Sequence, residues 1–253
     1  PEYHTENIVK AHARKLERTI THQDTIITDS ENTKNDILKY YPEIPKKSIQ
    51  VIYLGVEEHF RLIKDATKIK KMLIKYNVSF PANYLIYVGA IEPRKHVDRA
   101  IEVFNELIQD QKYKDYKFLI VGRAGWKNES VFKLMRILKL EDKVICVGYV
   151  EDEDLPYFYN ASRCLMYLSE YEGFGLPPVE EGKCGIPTLL HENSSLKELF
   201  IPNYPYSYAG EEVKQLKHFL DKKTEMSPYL RICDWSNYAN NFLSTLSGPP
   251  SEG

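Results

Sequence analysis

The pattern of apolar and polar positions becomes regular near residue 84. From there to about residue 221, a short apolar run, a turn and an amphipathic stretch follow one another repeatedly. The apolar runs are predicted strands: "YLIYVG" (84–89), "KFLIVG" (117–122), "VICVGY" (144–149), "CLMYLS" (164–169) and "PTLLHE" (187–192). The amphipathic stretches are predicted helices near 97–109, 128–139, 153–162, 178–184 and 211–221. Continuous apolar strands that alternate with helices indicate an α/β fold with a parallel sheet covered on both faces.

The two ends of the chain follow a different pattern. The segments "ENIVKAHARKLERTI" and "SENTKNDILKYY" predict helices, and "DTIITD" between them predicts a strand that lacks a sheet of its own. The segment "SIQVIYLGV" predicts a further strand, and residues 227–246 predict a terminal helix. The sequence therefore predicts three parts, namely residues 1–48, a main domain at 49–222, and a terminal helix and tail at 223–253.

Composition narrows the class of protein. The chain has 253 residues, 43% of them hydrophobic, and a formal net charge of −2, which predicts a globular protein and argues against a dedicated nucleic-acid binder. No apolar run reaches the roughly 18 residues that span a membrane. The four cysteines lack CxxC spacing, which argues against a zinc site or a disulfide framework and favours a reducing, cytoplasmic location. Because the chain starts at Pro1, we expect it to be part of a longer protein.

The stretch "EYEGFGLPPVEEGKCGIP" (170–187) carries the clearest candidate chemistry. Glu172 and Glu180 flank a loop in which Gly173 and Gly175 precede two prolines, a pattern that predicts a tight turn leading into a helix. The N-terminus of a helix attracts anions, whereas a carboxylate can bind a vicinal diol. A nucleotide-sugar carries both a diphosphate and diols. For Glu180 alone, a favourable position in the first helical turn is an equally good explanation.

Basic residues follow the first strand of the repeating pattern. Arg94 and Lys95 stand in "VGAIEPRKHVDRAI" (88–101), close to the start of a predicted helix. Positive charge is unfavourable at that end of a helix, so the position favours binding of a diphosphate. Arg123 in "VGRAGW" is a candidate for a second phosphate contact.

A third candidate segment is "VGYVEDEDLPYFYNA" (147–161). Gly148 would let the backbone approach a flat base, and Tyr149 or Val150 could line the edge of that base. Taken alone, this segment is better explained as a plain turn between a strand and a helix. Neither GxGxxG nor GxxxxGK[ST] is present, so a dinucleotide fold and a P-loop are poorly supported. The seven histidines are scattered and need only core or surface roles.

Together these segments resemble the retaining nucleotide-sugar glycosyltransferases of the two-Rossmann-domain (GT-B) type, family 4, also described as glycosyl transferases group 1. "EGFGLPPVE" resembles the family's Glu-x7-Glu motif, "VGAIEPRK" its phosphate-binding segment, and "CVGYVEDEDLPYFYNAS" its base-binding turn. "CGIPTLLHENSSLKEL" resembles the segment after the second Glu, while "TIITDSENTKNDI" and "VIYLGVEEHF" resemble the link between the two domains. The resemblance extends from about residue 20 to 245.

The resemblance implies a fold and a set of roles. The fold would be a Rossmann-like doubly wound parallel sheet, the C-terminal domain of a GT-B enzyme, preceded by a remnant of the N-terminal domain at 1–48. Lys95 would bind the donor diphosphate with Arg94 beside it, Glu172 would contact the sugar hydroxyls, and Glu180 would hold the ribose. The catalytic residues implied are Lys95, Arg94 and Glu172. The remaining donor contacts implied are Gly89, Arg123, Tyr149, Val150, Gly173, Phe174, Gly175 and Leu176.

The implied activity is transfer of a hexose, of mannosyl or rhamnosyl type, from a GDP- or UDP-linked donor with retention. The acceptor would be a glycan or a lipid-linked molecule in surface polysaccharide or lipopolysaccharide assembly. No metal and no cofactor is implied, no nucleic acid is an expected partner, and the full-length enzyme could associate peripherally with the inner face of a membrane. Because the acceptor site would lie on the missing domain, we expect the isolated chain to be inactive. The strand "TIITD" would lack the partner strands of that domain, so we expect residues 1–48 to be mobile, folded back on the donor domain, or paired with another copy.

The sequence departs from the family's pattern at two positions. Many members have Arg where this chain has Ala90, so that phosphate contact is either lost or supplied by Arg94 or Arg123. The usual Gly-Asp turn after "SSLKEL" is replaced by "FIPNYPYSY".

One alternative function is that of a non-catalytic donor-binding subunit of a split glycosyltransferase. The other is a sugar phosphorylase or epimerase of the same architecture, although no segment marks a lysine for the pyridoxal phosphate of a phosphorylase.

Overall fold

A computed structural model describes residues 25–125, 128–200, 204–222 and 234–247, with five isolated positions between residues 7 and 15. Most of the helix predicted at 6–20 and the beginning of the one predicted at 227–246 lie outside the described residues. The chain divides into two compact units, one formed by Val56–Ile232 and the other by Pro1–Gly55 with Cys233–Gly253. The domain boundaries predicted after residues 48 and 222 stay predictions.

The smaller unit contains a short parallel sheet. Its elements are β1 (Ile26–Thr28), α1 (Glu31–Tyr40), a 3₁₀ turn (Lys46–Ser48) and β2 (Ile49–Val51), with a later helix at Trp235–Ser247. The hydroxyl of Ser30 accepts a hydrogen bond from the backbone N–H of Thr33 and caps α1. Ile26 of β1 lies opposite Ile49 of β2. The expectation that the strand in "TIITD" lacks a partner was therefore wrong, because the following strand pairs with it after only one intervening helix.

The larger unit is built on a parallel sheet whose strands match the five predicted apolar runs. They are β3 (Tyr84–Val88), β4 (Lys117–Val121), β5 (Val144–Gly148), β6 (Ser162–Tyr167) and β7 (Thr188–Leu190). The strand order is β5-β4-β3-β6-β7, and every neighbouring pair is parallel. Each residue of the central strand β3 is buried, as expected for a sheet covered on both faces. The predicted Rossmann-like parallel sheet is confirmed.

Helices lie before, between and after these strands along the chain. In the described part of this unit they are α2 (Ala66–Lys75), α3 (Val97–Leu107), α4 (Glu129–Ile137), α5 (Leu155–Ala161), α6 (Leu176–Lys183), α7 (Leu196–Leu199) and α8 (Glu212–Lys222), with a 3₁₀ turn at Pro93–Lys95. The helices α2 and α7 were not predicted from the sequence. Arg99 of α3 donates to both carboxylate oxygens of the buried Glu212, at 3.2 and 3.0 Å, and so fixes α8 against α3.

Because all five strands are parallel, their carboxyl ends lie along one edge of the sheet. Gly89, Gly122 and Gly148 each follow or end a neighbouring strand, and each has a positive φ angle. A Cβ atom on Gly122 would lie 2.1 Å from the carbonyl oxygen of Gly89, so this close approach of two chain turns requires glycine. None of the described helices is long and apolar enough to cross a membrane.

Candidate functional site

Two loops meet at the carboxyl edge because β3 and β6 are neighbours in the sheet. Arg94 and Lys95 lie in the 3₁₀ turn after β3, and Glu172 lies in the loop after β6. Lys95 Nζ is 2.5 Å from Glu172 Oε1, and Arg94 Nη1 is 3.0 Å from Glu172 Oε2. Lys95 Nζ also donates to the hydroxyl of Tyr167, at 2.9 Å. The three side chains predicted to be catalytic therefore form one cluster.

This cluster is largely withdrawn from solvent. Glu172 is 5% exposed and Lys95 is 9% exposed. Burial acts to raise the pKa of Glu172, but the charge and hydrogen bond of Lys95, together with the charge of Arg94, outweigh burial and lower the pKa. Burial lowers the pKa of Lys95, opposed by the charge of Glu172. Glu172 is thus an ionised carboxylate held between two cationic groups.

Arg94 has further partners in addition to Glu172. Its Nε lies 3.5 Å from Glu92 Oε2, and its Nη1 donates to the carbonyl oxygen of Tyr171 at 3.0 Å. About a quarter of its side chain is exposed, at 24%. Arg94 is therefore the most exposed of the three side chains and joins the buried cluster to solvent.

Hydrogen bonds with three residues that were not predicted to belong to the site fix the backbone of the loop that carries Glu172. The buried Ser195 donates to the carbonyl oxygens of Glu172 and Phe174, at 2.9 and 2.8 Å. Ser194 accepts a hydrogen bond from the backbone N–H of Glu172 at 3.1 Å and has a left-handed backbone with φ 40°. The side-chain amide of Asn193 donates to the carbonyl oxygen of Ser169. In the sequence, the only signal for these residues was the resemblance of "HENSSLKEL" to the family.

Gly175 and the helix α6 shape the other end of the same loop. Gly175 has φ 103°, and a Cβ atom there would lie 2.7 Å from Leu196 Cδ2, so a larger residue would strain the backbone and displace the side chain of Leu196. Phe174 is buried at 4% exposure, whereas Leu176 at the start of α6 is 36% exposed. Gly173 is half-buried. The loop thus anchors one apolar side chain in the core and turns the next one outward.

Two carboxylates follow in α6 in a very different environment from that of Glu172. Glu180 Oε2 accepts a hydrogen bond from the hydroxyl of Tyr159 at 2.7 Å, and Glu181 Oε1 accepts one from the hydroxyl of Ser162 at 3.0 Å. Burial raises the pKa of Glu180 to about 7, although the hydrogen bond from Tyr159 opposes this. Burial also raises the pKa of Glu181 well above its ordinary value. In the described part of the chain, neither carboxylate forms a salt bridge.

Arg123 and Tyr149 form a second group at the carboxyl edge, after β4 and β5. The guanidinium carbon of Arg123 lies 4.7 Å from the centre of the Tyr149 ring, a distance typical of a cation–π contact. Tyr149 is 48% exposed, whereas Val150 beside it is buried. Among the described residues, no hydrogen bond or ion pair joins Arg123 to the Lys95–Glu172 cluster. The edge therefore carries a charged cluster at β3 and β6 and a flat aromatic group at β4 and β5.

The comparison with protein families identifies this arrangement. The family model described as "Glycosyl transferases group 1" matches residues 69–233, which include every candidate site residue. The chain belongs to this family. The five-stranded sheet is accordingly the Rossmann-like C-terminal domain of a GT-B glycosyltransferase.

Individual relatives agree with the family assignment. The chain is 29% identical over 199 residues to the O-antigen chain mannosyltransferase B of Escherichia coli, covering 79% of this chain and 51% of that protein. Anabaena HepE, solved in complex with UDP and glucose, superposes with a TM-score of 0.77 at 18% identity, covering 98% of this chain and 68% of HepE. WaaG, a glycosyltransferase involved in lipopolysaccharide biosynthesis, gives a TM-score of 0.68 at 19% identity, covering 94% of this chain and 62% of WaaG. The chain spans about half the length of this mannosyltransferase.

Proposed function

We propose that this chain is the donor-binding part of a retaining glycosyltransferase that takes a hexose from a GDP- or UDP-linked sugar. The observation that carries the proposal is the cluster of Lys95, Arg94 and Glu172 at the carboxyl edge of a parallel sheet. Ligands of such sheets bind beyond the carboxyl ends of the strands. Family membership and the mannosyltransferase relative support a hexosyltransferase.

The two cations would hold the diphosphate of the donor. In the ligand-free chain, Glu172 occupies the position of a counter-ion to both Lys95 and Arg94. A diphosphate has more oxygens and more charge than a carboxylate, so it would take over the two cations and release the oxygens of Glu172 to accept hydrogen bonds from sugar hydroxyls. The same two cations would stabilise the charge that develops on the diphosphate as it leaves the anomeric carbon. Removal of one such preorganised group typically costs roughly 3–4 kcal/mol of barrier.

The remaining parts of the donor would follow the edge of the sheet. Glu180, once ionised, would accept hydrogen bonds from the ribose, and the exposed ring of Tyr149 with the backbone of Val150 would contact the base. HepE was solved with UDP and glucose, which supports a nucleotide-sugar as the ligand class. The name of the O-antigen relative supports mannose as the sugar and a surface glycan as the acceptor. No metal or cofactor is part of the proposed mechanism, and a cytoplasmic location is proposed with it.

Calorimetry with free nucleoside diphosphates and with their sugars tests this proposal. The measurements are made in the presence of a chelator and above about pH 8, where Glu180 is ionised. We expect UDP or GDP and the corresponding sugar to bind, and a ligand at 100 times its dissociation constant to stabilise the chain by about 2.7 kcal/mol. Absence of binding by every nucleotide, with and without magnesium, would refute the proposal.

The two acids of the motif are expected to behave differently in the same experiment. Glu180→Gln should weaken the free nucleotide and the nucleotide-sugar alike, because both contain the ribose. Glu172→Gln should weaken only the sugar-linked form, since it removes the contact to the sugar and leaves Lys95 and Arg94 available to the diphosphate. The exposed Glu141 provides a matched control, and Glu141→Gln should change neither affinity. Equal losses for both ligands in Glu172→Gln would contradict its assignment.

A further inference from the structure

The segment that contains α2 is strongly basic although the chain as a whole is slightly acidic. Residues 61–75 read "RLIKDATKIKKMLIK" and contain six basic residues and one acidic residue. The formal net charge of the whole chain is −2. The segment therefore carries a formal net charge of +5, against −7 for the rest of the chain.

The basic residues of α2 lie opposite its buried side. Ile69 and Leu73 are the buried residues of this helix, whereas Lys68, Lys70 and Lys71 are exposed. Residues three or four positions apart lie on the same face of a helix. Ile74, which is 55% exposed, therefore lies beside Lys70 and Lys71 on the outer face.

Most of these charges are not neutralised by the protein. Lys75 is paired with Asp154 at 2.5 Å, and Lys68 lies at 3.9 Å from Asp65. In residues 25–125, 128–200, 204–222 and 234–247, no acidic side chain forms a salt bridge with the other four basic residues. Those four are Arg61, Lys64, Lys70 and Lys71.

The outer face of α2 continues into a cleft of about 280 Å³ beside the start of α5. Its lining includes Arg61, Leu62, Lys64, Lys68 and Tyr157 together with the acidic Asp65 and Glu153, and contains none of the candidate donor-binding residues. The side chain of Leu62 is 56% exposed. The cleft and the helix therefore form a continuous surface on which basic side chains outnumber acidic ones and two apolar side chains are exposed.

We propose that this surface binds a bilayer that contains anionic lipids. It is called the basic face here and consists of Arg61, Leu62, Lys64, Lys68, Lys70, Lys71 and Ile74. Basic side chains are attracted to the negative potential of such a bilayer, and exposed apolar side chains gain by entering the boundary between headgroups and acyl chains. The lysines alone would equally suit a soluble polyanion, but Leu62 and Ile74 favour lipid because a polyanion offers them no apolar environment. The inference does not rest on the proposed transferase function.

Sedimentation with phosphatidylcholine vesicles, prepared with and without phosphatidylglycerol, tests the proposal on the whole chain. We expect binding only to the vesicles that contain phosphatidylglycerol, and release as salt is raised. The triple substitution Lys64→Gln, Lys70→Gln and Lys71→Gln should weaken this binding about tenfold or more. The matched control is Lys114→Gln, Lys133→Gln and Lys214→Gln, which makes the same change in net charge at exposed positions elsewhere and should retain binding.

A second variant separates lipid from a soluble polyanion. Leu62→Gln with Ile74→Gln should weaken binding to the anionic vesicles and leave retention on a heparin column unchanged. Since all substituted side chains are exposed, an unchanged thermal unfolding midpoint should accompany each variant. The proposal is overturned if the anionic vesicles do not bind, if the control triple loses as much affinity as the test triple, or if the apolar double variant binds vesicles as the unmodified chain does.

Discussion

The regions around Glu172 and Glu180 place two carboxylates of one motif in opposite electrostatic states. Glu172 is held between Lys95 and Arg94, and its pKa lies below the ordinary value. Burial, helped by the nearby charge of Asp152, raises the pKa of Glu180 to about 7 against the opposing hydrogen bond from Tyr159. The pKa values of the two acids differ because different side chains pack against each carboxylate. The loop after β6 faces the cations that follow β3, whereas α6 presents Glu180 to the aromatic side of α5.

Under the proposed function, this difference means that the two acids would respond to the donor in different ways. Glu172 is charged in the ligand-free chain, so the proposed donor diphosphate would compete with it for Lys95 and Arg94. Glu180 has a pKa of about 7, so recognition of a diol by its carboxylate would depend on pH. Binding at the first acid would involve exchange of counter-ions, and binding at the second would require loss of a proton.

The largest effect is expected when the ion pair around Glu172 is broken. Lys95→Met leaves the carboxylate buried with only Arg94 as a cationic partner. Removal of one partner from a buried pair typically costs about 3–5 kcal/mol, so we expect the free energy of unfolding to fall by about 3 kcal/mol, measured by urea denaturation at neutral pH.

Two variants control this measurement. Lys112 is paired with Asp221 at 2.6 Å on the surface, and Lys112→Met should have little effect because exposed pairs contribute little. Lys95→Met combined with Glu172→Gln should recover part of the lost stability, because no buried charge is then left without its partner. If Lys95→Met were as stable as the unmodified chain, the cluster would not be the buried ion pair described here.

The next effect concerns the proton of Glu180. Its pKa is about 7 in the folded chain against an ordinary value of 4.5, so the folded state binds the proton more tightly than the unfolded state. Stability therefore falls as pH rises from about 4.5 through about 7, and remains lower above that range. Glu180→Gln removes this dependence, and the variant should exceed the unmodified chain by about 3 kcal/mol above about pH 8 while matching it near pH 4.

Urea denaturation of both proteins across this pH range measures the difference. Glu141→Gln provides the control because Glu141 is exposed, and it should leave the pH profile unchanged. A constant difference between Glu180→Gln and the unmodified chain at all pH values would mean that Glu180 does not titrate near neutrality in the folded state.

Much of this contrast could not be read from the sequence. The five strands were predicted because each is a continuous apolar run, and the start of α6 was predicted from the glycines and prolines before it. The contact between Lys95 and Glu172 depends on β3 and β6 being neighbours, and strand order is not encoded in any local pattern. Lys95 and Glu172 were therefore assigned to different parts of the ligand rather than to each other.

Other features escaped prediction for local reasons. The helix α2 has the apolar spacing of an amphipathic helix in Ile69, Met72 and Leu73, but it precedes the regular alternation of strands and helices and was not recognised. The helix α7 has only four residues. Ser194 and Ser195 support the Glu172 loop through hydrogen bonds to its backbone. Such contacts place no requirement on the side chains of the loop, so only the resemblance of "HENSSLKEL" to the family pointed to these serines.

The smallest effect isolates the hydrogen bond from Tyr159 to Glu180. Tyr159 lies in the core, and its hydroxyl stabilises the charged form of the acid. Tyr159→Phe keeps the ring and removes the donor, so the pKa of Glu180 should rise further. The pH at which the fall in stability ends should move upward by about one unit, since that end of the fall is set by the pKa of Glu180 in the folded chain. Tyr157→Phe on the same helix is the control, because among the described residues the Tyr157 hydroxyl makes no hydrogen bond to Glu180, and it should leave this pH in place. If the fall ends at the same pH in Tyr159→Phe, the hydrogen bond does not affect the proton affinity of Glu180, and the contrast with Glu172 rests on the cations around Glu172.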